Sequence, residues 1–183
     1  MKSAGPPVSY KRQIFSAEDP RFEGTFAVDF VVSAAPNEPD TTLPPRTTYY
    51  SDKEFANIGS DDDRPMLITL HGLSGGSHEV YLRHVLAPLV AAATGKVEDG
   101  EVATADWEAL VVNSRGCAMS EITTGVLYNA RATWDIRQVV KWCRKTFPNR
   151  PLFGVGYSLG ANILTNVCTC TAECDNMTTE NRA

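Results

Sequence analysis

The stretch Pro151-Leu152-Phe153-Gly154-Val155-Gly156-Tyr157-Ser158-Leu159-Gly160-Ala161-Asn162-Ile163-Leu164 constrains this chain more than any other. A short apolar run of strand character ends in Gly156-Tyr157-Ser158-Leu159-Gly160, and an apolar, helix-compatible run follows. G-x-S-x-G between a strand and a helix is the pattern of a nucleophile elbow. The turn must hold Ser158 on strained backbone so that its hydroxyl stands clear of the strand end. Gly156 and Gly160 flank the turn where a Cβ would collide with the neighbouring strand and helix. Leu159 opens the helix, so its N–H can face a developing oxyanion. The five-letter pattern arises by chance in about 5–6% of chains this long. The strand before it and the helix after it therefore carry the reading. The plainer alternative is a Gly-rich turn whose serine caps a helix.

The rest of the chain repeats the strand–helix alternation. Residues 1–24 read as a polar, irregular N-terminal segment. Phe26, Val28, Phe30 and Val32 alternate with Thr25, Ala27 and Asp29, the period of a half-buried strand. Residues 34–45 read as a Pro-containing surface loop, Arg46 to Tyr50 as a short strand, and Ser60-Asp61-Asp62-Asp63-Arg64 as a solvated turn. Met66-Leu67-Ile68-Thr69-Leu70 and Ala109-Leu110-Val111-Val112 are apolar runs suited to strands covered on both faces. Between them Val85, Leu86, Leu89, Val90 and Ala93 mark a helix face, with Pro88 predicting a kink or a later start. A second helix is read from Tyr128 to Lys145, ended by Phe147-Pro148-Asn149. From residue 66 onward strands and helices alternate, which predicts an α/β fold with a mostly parallel sheet and helices on both faces.

Composition narrows the partners. A net charge of -5 and the lack of a basic run argue against nucleic acid. No apolar run approaches the roughly 20 residues of a membrane helix, and Met1-Lys2-Ser3-Ala4-Gly5-Pro6-Pro7 does not lead into a signal-peptide core. Five cysteines in that context read as reduced thiols, and a cytoplasmic location is expected. Cys168, Cys170 and Cys174 have C-x-C-x3-C spacing, without the paired C-x2-C hooks of structural zinc sites, so no metal is expected. Residues 168–183 are read as a disordered, Cys-containing tail. Gly154-x-Gly156 resembles the start of a dinucleotide fingerprint, but Leu159 stands where the third glycine belongs.

Acyl transfer by a serine needs a nucleophile, a base, an orienting acid and two oxyanion donors. Ser158 is the candidate nucleophile. Leu159 N–H is one candidate donor, and Leu73 N–H, in the loop His71-Gly72-Leu73 after the 66–70 strand, is the other. Gly72 leaves room for a substrate carbonyl there, and the His71 side chain is expected to brace the turn. The three histidines, His71, His78 and His84, all precede the serine. The expected order places Asp or Glu and then His after it. The residues thus supply nucleophile and oxyanion hole without a recognisable base.

Three segments together resemble the α/β-hydrolase fold over about Arg64 to Asn166. They are His71-Gly72-Leu73-Ser74-Gly75-Gly76-Ser77-His78-Glu79, Asn113-Ser114-Arg115-Gly116-Cys117 and Gly156-Tyr157-Ser158-Leu159-Gly160-Ala161-Asn162. Within that fold the chain resembles the YheT-like group, which includes the fungal medium-chain fatty acid ethyl ester synthase/esterases; Leu43-Pro44-Pro45-Arg46-Thr47-Thr48-Tyr49 is similar to the fungal branch. The resemblance implies a serine esterase or acyltransferase that makes or cleaves medium-chain acyl esters, with Ser158 as nucleophile and Leu73 and Leu159 as oxyanion donors. Its partners would be a small acyl ester and an alcohol, with no separate cofactor, and association with a lipid surface is compatible with it. Relatives continue past the elbow helix through strands carrying the acid and the histidine. The expectation is therefore a partial hydrolase domain over 25–167 that lacks its C-terminal half, has crippled catalysis, and leaves the elbow strand as a sheet edge. The alternative is a non-catalytic hydrolase-like fragment that binds acyl ligands or a protein partner.

Overall fold

The computed structural model describes residues 5–33, 40–91 and 106–168. Its elements are strands β1 (Ser9–Ser16), β2 (Thr25–Val32), β3 (Thr47–Tyr49), β4 (Met66–Leu70), β5 (Glu108–Asn113) and β6 (Leu152–Gly156). Helices are α1 (Asp52–Ala56), α2 (Val80–Ala91) and α3 (Trp134–Thr146), with α4 over residues 159–168. All six strands form one sheet in the order β3-β1-β2-β5-β4-β6. β4 pairs parallel with β5 and β6, and β1 parallel with β3, while β2 runs antiparallel to both β1 and β5.

Side-chain alternation along the strands builds a core on each face. Phe26, Val28 and Phe30 of β2, Met66, Ile68 and Leu70 of β4, and Leu110 and Val112 of β5 point to one face. There they meet Ile136, Val139 and Cys143 of α3 and Ile163 and Val167 of α4. Phe55 of α1 stacks on Trp142 with centroids 5.4 Å apart, closing that face with a group of aromatic rings. A capping box between Ser51 and Glu54 starts α1 and so places Phe55. Val31, Leu67, Ala109 and Val111 point the other way, onto Leu82 and Leu86 of α2.

This topology sets where a site can form. From β4 the chain crosses by α2 to β5 on one side, then by α3 over β4 to β6 on the other. Crossovers of one hand that travel in opposite directions lie on opposite faces, as the two helices do. The connections thus diverge at the C-terminal ends of β4 and β6, where open α/β sheets leave a crevice for ligands.

Four readings of the sequence are corrected. The N-terminal segment 1–24 is not irregular: it holds β1, paired with β2 over its whole length. Its pattern is inverted, with Arg12 fully buried and Ile14 38% exposed, so the usual alternation is hidden. β2 is buried on both faces, Asp29 included, because β1 and β5 flank it and both cores cover it. The second helix starts at Trp134 and not at Tyr128. The turn 60–64 is not merely solvated. Arg150 grips Asp62 with Nε and Nη2 at 2.7 Å each, and Arg64 reaches Asp62 at 3.0 Å and Glu108 at 2.6 Å. α2 begins at Val80 and runs through Pro88, which has no N–H to give the carbonyl of His84. β6 lies at the sheet edge, with Phe153 half exposed beside Trp107. Residues 169–183, and with them Cys170, Cys174 and almost all of the tail expected to be disordered, lie outside the described residues. Among the described residues no helix is long and apolar enough to cross a membrane.

The Asp62 clamp ties together the entries to β4, β5 and β6. Hydrogen bonds from Arg150 first, then from Arg64 and Ser60, hold the Asp62 carboxyl well below its ordinary 3.8. A depressed folded pKa stabilises the fold above the unfolded value, and that stabilisation fades as pH falls below about 4 toward the folded one. Asp62→Asn should cost roughly 1–2 kcal/mol at pH 7, discounted for partial exposure. Urea melts of both proteins should show the gap closing below about pH 4.

Candidate active site

The elbow has the geometry its residues require. Ser158 sits at φ 52° and is exposed at the end of β6. That left-handed conformation is strained for a residue with a Cβ. Helix α4 holds it there: Gly160 N–H donates to Tyr157 O, and Ala161 and Asn162 N–H both donate to Ser158 O. The flanking glycines are explained by contact rather than by φ. A Cβ on Gly156 would lie 2.5 Å from Gly160 O and 2.6 Å from the Ala161 backbone. On Gly160 it would lie 2.5 Å from His71 O and 2.7 Å from Leu70 O. The start of α4 is thereby pressed against the end of β4.

The loop after β4 lies over the elbow. A Cβ on Gly72 would reach 3.5 Å from Ser158 Cβ, so the two turns face each other. The His71 ring is buried and fully engaged: Nε2 accepts from Ser114 N–H at 3.0 Å, which leaves Nδ1 to donate to Gly72 O at 2.6 Å. Burial lowers its pKa, so the ring is neutral at pH 7 and braces the loop. Tyr81 Oη accepts from Gly72 N–H at 3.0 Å, and Tyr128 Oη from Ser74 N–H at 3.2 Å. The N–H groups of Leu73 and Leu159 have no protein acceptor among the described residues. No described base is hydrogen-bonded to Ser158 Oγ. His78 lies in the turn before α2, next to Glu79, and His84 is on α2 itself.

Behind these loops lies a polar network absent from the sequence reading. The Asp29 carboxylate takes Arg12 Nε at 2.7 Å and Nη2 at 2.8 Å, Asn113 Nδ2 at 2.8 Å and Ser77 Oγ at 2.5 Å. Asn113 Oδ1 accepts from Ser77 N–H, and Tyr10 Oη donates to Ser77 O. Arg12 Nη1 also donates to Ala118 O. Arg115, in the loop after β5, uses all five of its donors: two on Asp135 and three on the carbonyls of Phe22, Glu23 and Val126. The signal available for the Arg12–Asp29 pair was Asp29, a charged residue within the alternating stretch 25–32.

The comparisons with known proteins agree with this geometry. The family model described as alpha/beta hydrolase fold matches residues 65–173. The chain belongs to the alpha/beta hydrolase family. It is 47% identical to the monoacylglycerol lipase of Saccharomyces cerevisiae over 66% of this chain and 24% of that protein. It is 38% identical to medium-chain fatty acid ethyl ester synthase/esterase 2 of the same yeast, over 68% of this chain and 25% of that protein. The Escherichia coli putative esterase YheT is 30% identical over 59% of this chain and 28% of its own length, in keeping with a YheT-like group. Among solved structures, the Pyrococcus furiosus esterase Pf2001 shares the fold with a TM-score of 0.52 at 16% identity, over 85% of this chain and 42% of that one. The chain thus spans about a quarter of the length of the curated relatives it matches.

Other candidate groups of this chain have plain structural roles. Cys117 is buried with Sγ 3.5 Å from Tyr128 Oη, and burial pushes the Cys143 thiol up to about 12. Among the described residues no cluster of three or more His, Cys, Asp or Glu is placed to hold a metal.

Two substitutions test the architecture of the site. Gly160→Ala sets a Cβ against two backbone carbonyls and should cost more than about 3 kcal/mol, read as a lowered urea midpoint. Arg12→Met leaves Asp29 buried without its cation and should cost about 3–5 kcal/mol. The double variant Arg12→Met/Asp29→Leu should recover a large part of that loss in the same melts.

Proposed function

We propose that this alpha/beta hydrolase belongs to a serine esterase/acyltransferase acting on medium-chain fatty acyl esters, ethyl esters and monoacylglycerols among them, through an acyl-enzyme on Ser158. The strained, exposed serine at the crevice where the connections diverge carries this reading. The names of the two yeast relatives support ester chemistry and suggest the substrate class.

Ser158 Oγ would attack the ester carbonyl and give its proton to a base. The carbonyl oxygen, becoming an oxyanion, would be held by Leu73 and Leu159 N–H. Two donors without a protein acceptor would need to give up no bond as charge develops, which is where such sites gain most. Collapse of the tetrahedral intermediate expels the alcohol and leaves the acyl group on Ser158. Water then releases the acid, or a second alcohol takes the acyl group to form a new ester.

A hydroxyl without a paired base is a weak nucleophile at neutral pH. Among the described residues only the oxyanion donors and the substrate crevice would contribute to rate, so the 183-residue chain should hydrolyse esters slowly. Enzymes stripped of a triad member keep about 10³–10⁴-fold over water. Octanoyl p-nitrophenyl ester hydrolysis should stay in that range, and Ser158→Ala should abolish acylation seen by mass spectrometry. Turnover unchanged in Ser158→Ala would sink the role of the serine. That no base among the described residues is hydrogen-bonded to Ser158 Oγ also favours a second reading, an acyl-binding chain without turnover, and the same assay separates the two.

A further inference from the structure

We propose that Tyr81 and Tyr128 are positioning residues of the oxyanion hole: their hydroxyls take up the N–H groups on either side of Leu73 and leave Leu73 N–H to the ester carbonyl oxygen; this rests on the esterase reading above. Gly72 N–H donates to Tyr81 Oη at 3.0 Å and Ser74 N–H to Tyr128 Oη at 3.2 Å. Gly75 N–H is used as well, on Gly72 O at 3.1 Å. Among the described residues, Leu73 therefore carries the one N–H of the run 72–75 without a protein acceptor. An engaged N–H can serve an oxyanion only by breaking its own bond. The two hydroxyls and the turn thus single out one donor of the run.

The two tyrosines come from different parts of the chain. Tyr81 is on the first turn of α2, and Tyr128 lies in the segment between β5 and α3. Tyr81 touches both turns of the site. Its ring packs on that of Tyr157, the residue before the nucleophile, with centroids 4.7 Å apart, while its hydroxyl holds Gly72. A Cβ on Gly72 would lie 3.5 Å from Ser158 Cβ and 3.7 Å from Tyr81 Oη, so this hydroxyl sits beside the gap between loop and elbow. A Cβ on Gly75 would come 3.2 Å from the same hydroxyl and 3.3 Å from Gly72 O. Glycine at 75 keeps that space for the Tyr81 hydroxyl.

Tyr128 holds the other side of Leu73. Ser74 is left-handed, with φ 57°, a conformation that persists in a non-glycine residue only where contacts enforce it. Its N–H bond to Tyr128 and the turn closed by Gly75 N–H on Gly72 O supply those contacts. Tyr128 is itself tied down, with Cys117 Sγ 3.5 Å from its hydroxyl. Burial raises the pKa of both tyrosines above the ordinary 10.0, so both hydroxyls are neutral acceptors at pH 7. A loop held from two sides fixes its free N–H before the reaction begins, and fixed donors are worth most where charge develops.

Tyr81→Phe and Tyr128→Phe keep the rings and remove only the acceptors. Acylation of Ser158 by octanoyl p-nitrophenyl ester, followed by mass spectrometry over a range of ester concentrations, gives a maximal rate and a half-saturating concentration for each chain. Each variant is expected to lower the maximal rate about tenfold, part of the roughly 10²–10³ lost with an oxyanion donor itself, with the half-saturating concentration unchanged. Urea midpoints check that each variant folds, and one folded variant is enough for the test. Amide exchange by NMR reads the loop without turnover. Leu73 N–H should exchange faster than Gly72 and Ser74 N–H, with Gly72 speeding up in Tyr81→Phe and Ser74 in Tyr128→Phe. A Leu73 N–H protected as well as its neighbours overturns the proposal. So does an unchanged maximal rate in a folded variant, or a loss seen only in the half-saturating concentration, which would make the tyrosines ester-binding groups. Failure of the esterase reading shows separately, as acylation that survives Ser158→Ala.

Discussion

One buried carboxylate, Asp29, ties the site to the sheet. It lies in the middle of β2 with no exposure, yet it takes hydrogen bonds from β1, from β5 and from the loop that follows β4. A charge in that position is sustained only when its acceptor capacity is filled, and here Arg12, Asn113 and Ser77 fill it. Each partner carries a constraint outward. Ser77 fixes the far end of the loop that offers Leu73 N–H. Asn113 ends β5 and leads into the Arg115 loop. Arg12 holds the strained Ala118 carbonyl. The network lies on the α2 side of the sheet, so the loops around Ser158 are braced from beneath by polar contacts rather than by apolar packing alone.

The two ends of the sheet divide the work. At the N-terminal ends of β4, β5 and β6, Asp62, Arg64, Arg150 and Glu108 form ion pairs that hold the strand entries together. At the C-terminal ends the backbone is strained, with left-handed residues at Ser74, Ala118, Met119 and Ser158. Strain of this kind needs a rigid setting to persist. The parallel pairing of β6 with β4 and of β4 with β5 supplies it, together with close packing of α4 on β4 at Gly160.

How much was legible depends on the range of the contacts. The elbow, the strands at 66–70 and 109–112, and the role of His71 as a brace rest on neighbours within a few residues or on a local pattern, and they could be read directly. The strand at Ser9–Ser16 could not. Its buried face carries an arginine whose justification, Asp29, lies seventeen residues away on the next strand. Asp62 looked solvated because its partner Arg150 is 88 positions distant. The helix read from Tyr128 starts only at Trp134, and Tyr128 instead accepts from Ser74 N–H, 54 residues earlier.

The sequence by itself determined the local geometry: a glycine-flanked serine between a strand and a helix, apolar runs that must be covered on both faces, and an alternation that yields a parallel α/β arrangement. Those outcomes follow from sterics and periodicity, which act over a few residues. Only the tertiary structure decided which strands became neighbours, where the buried charges found partners, and that the loops after β4 and β5 come together at Leu159. The reason is physical. Pairing a buried charge or lining a cavity depends on groups that the chain brings together from far apart, and no local pattern encodes which of them will meet.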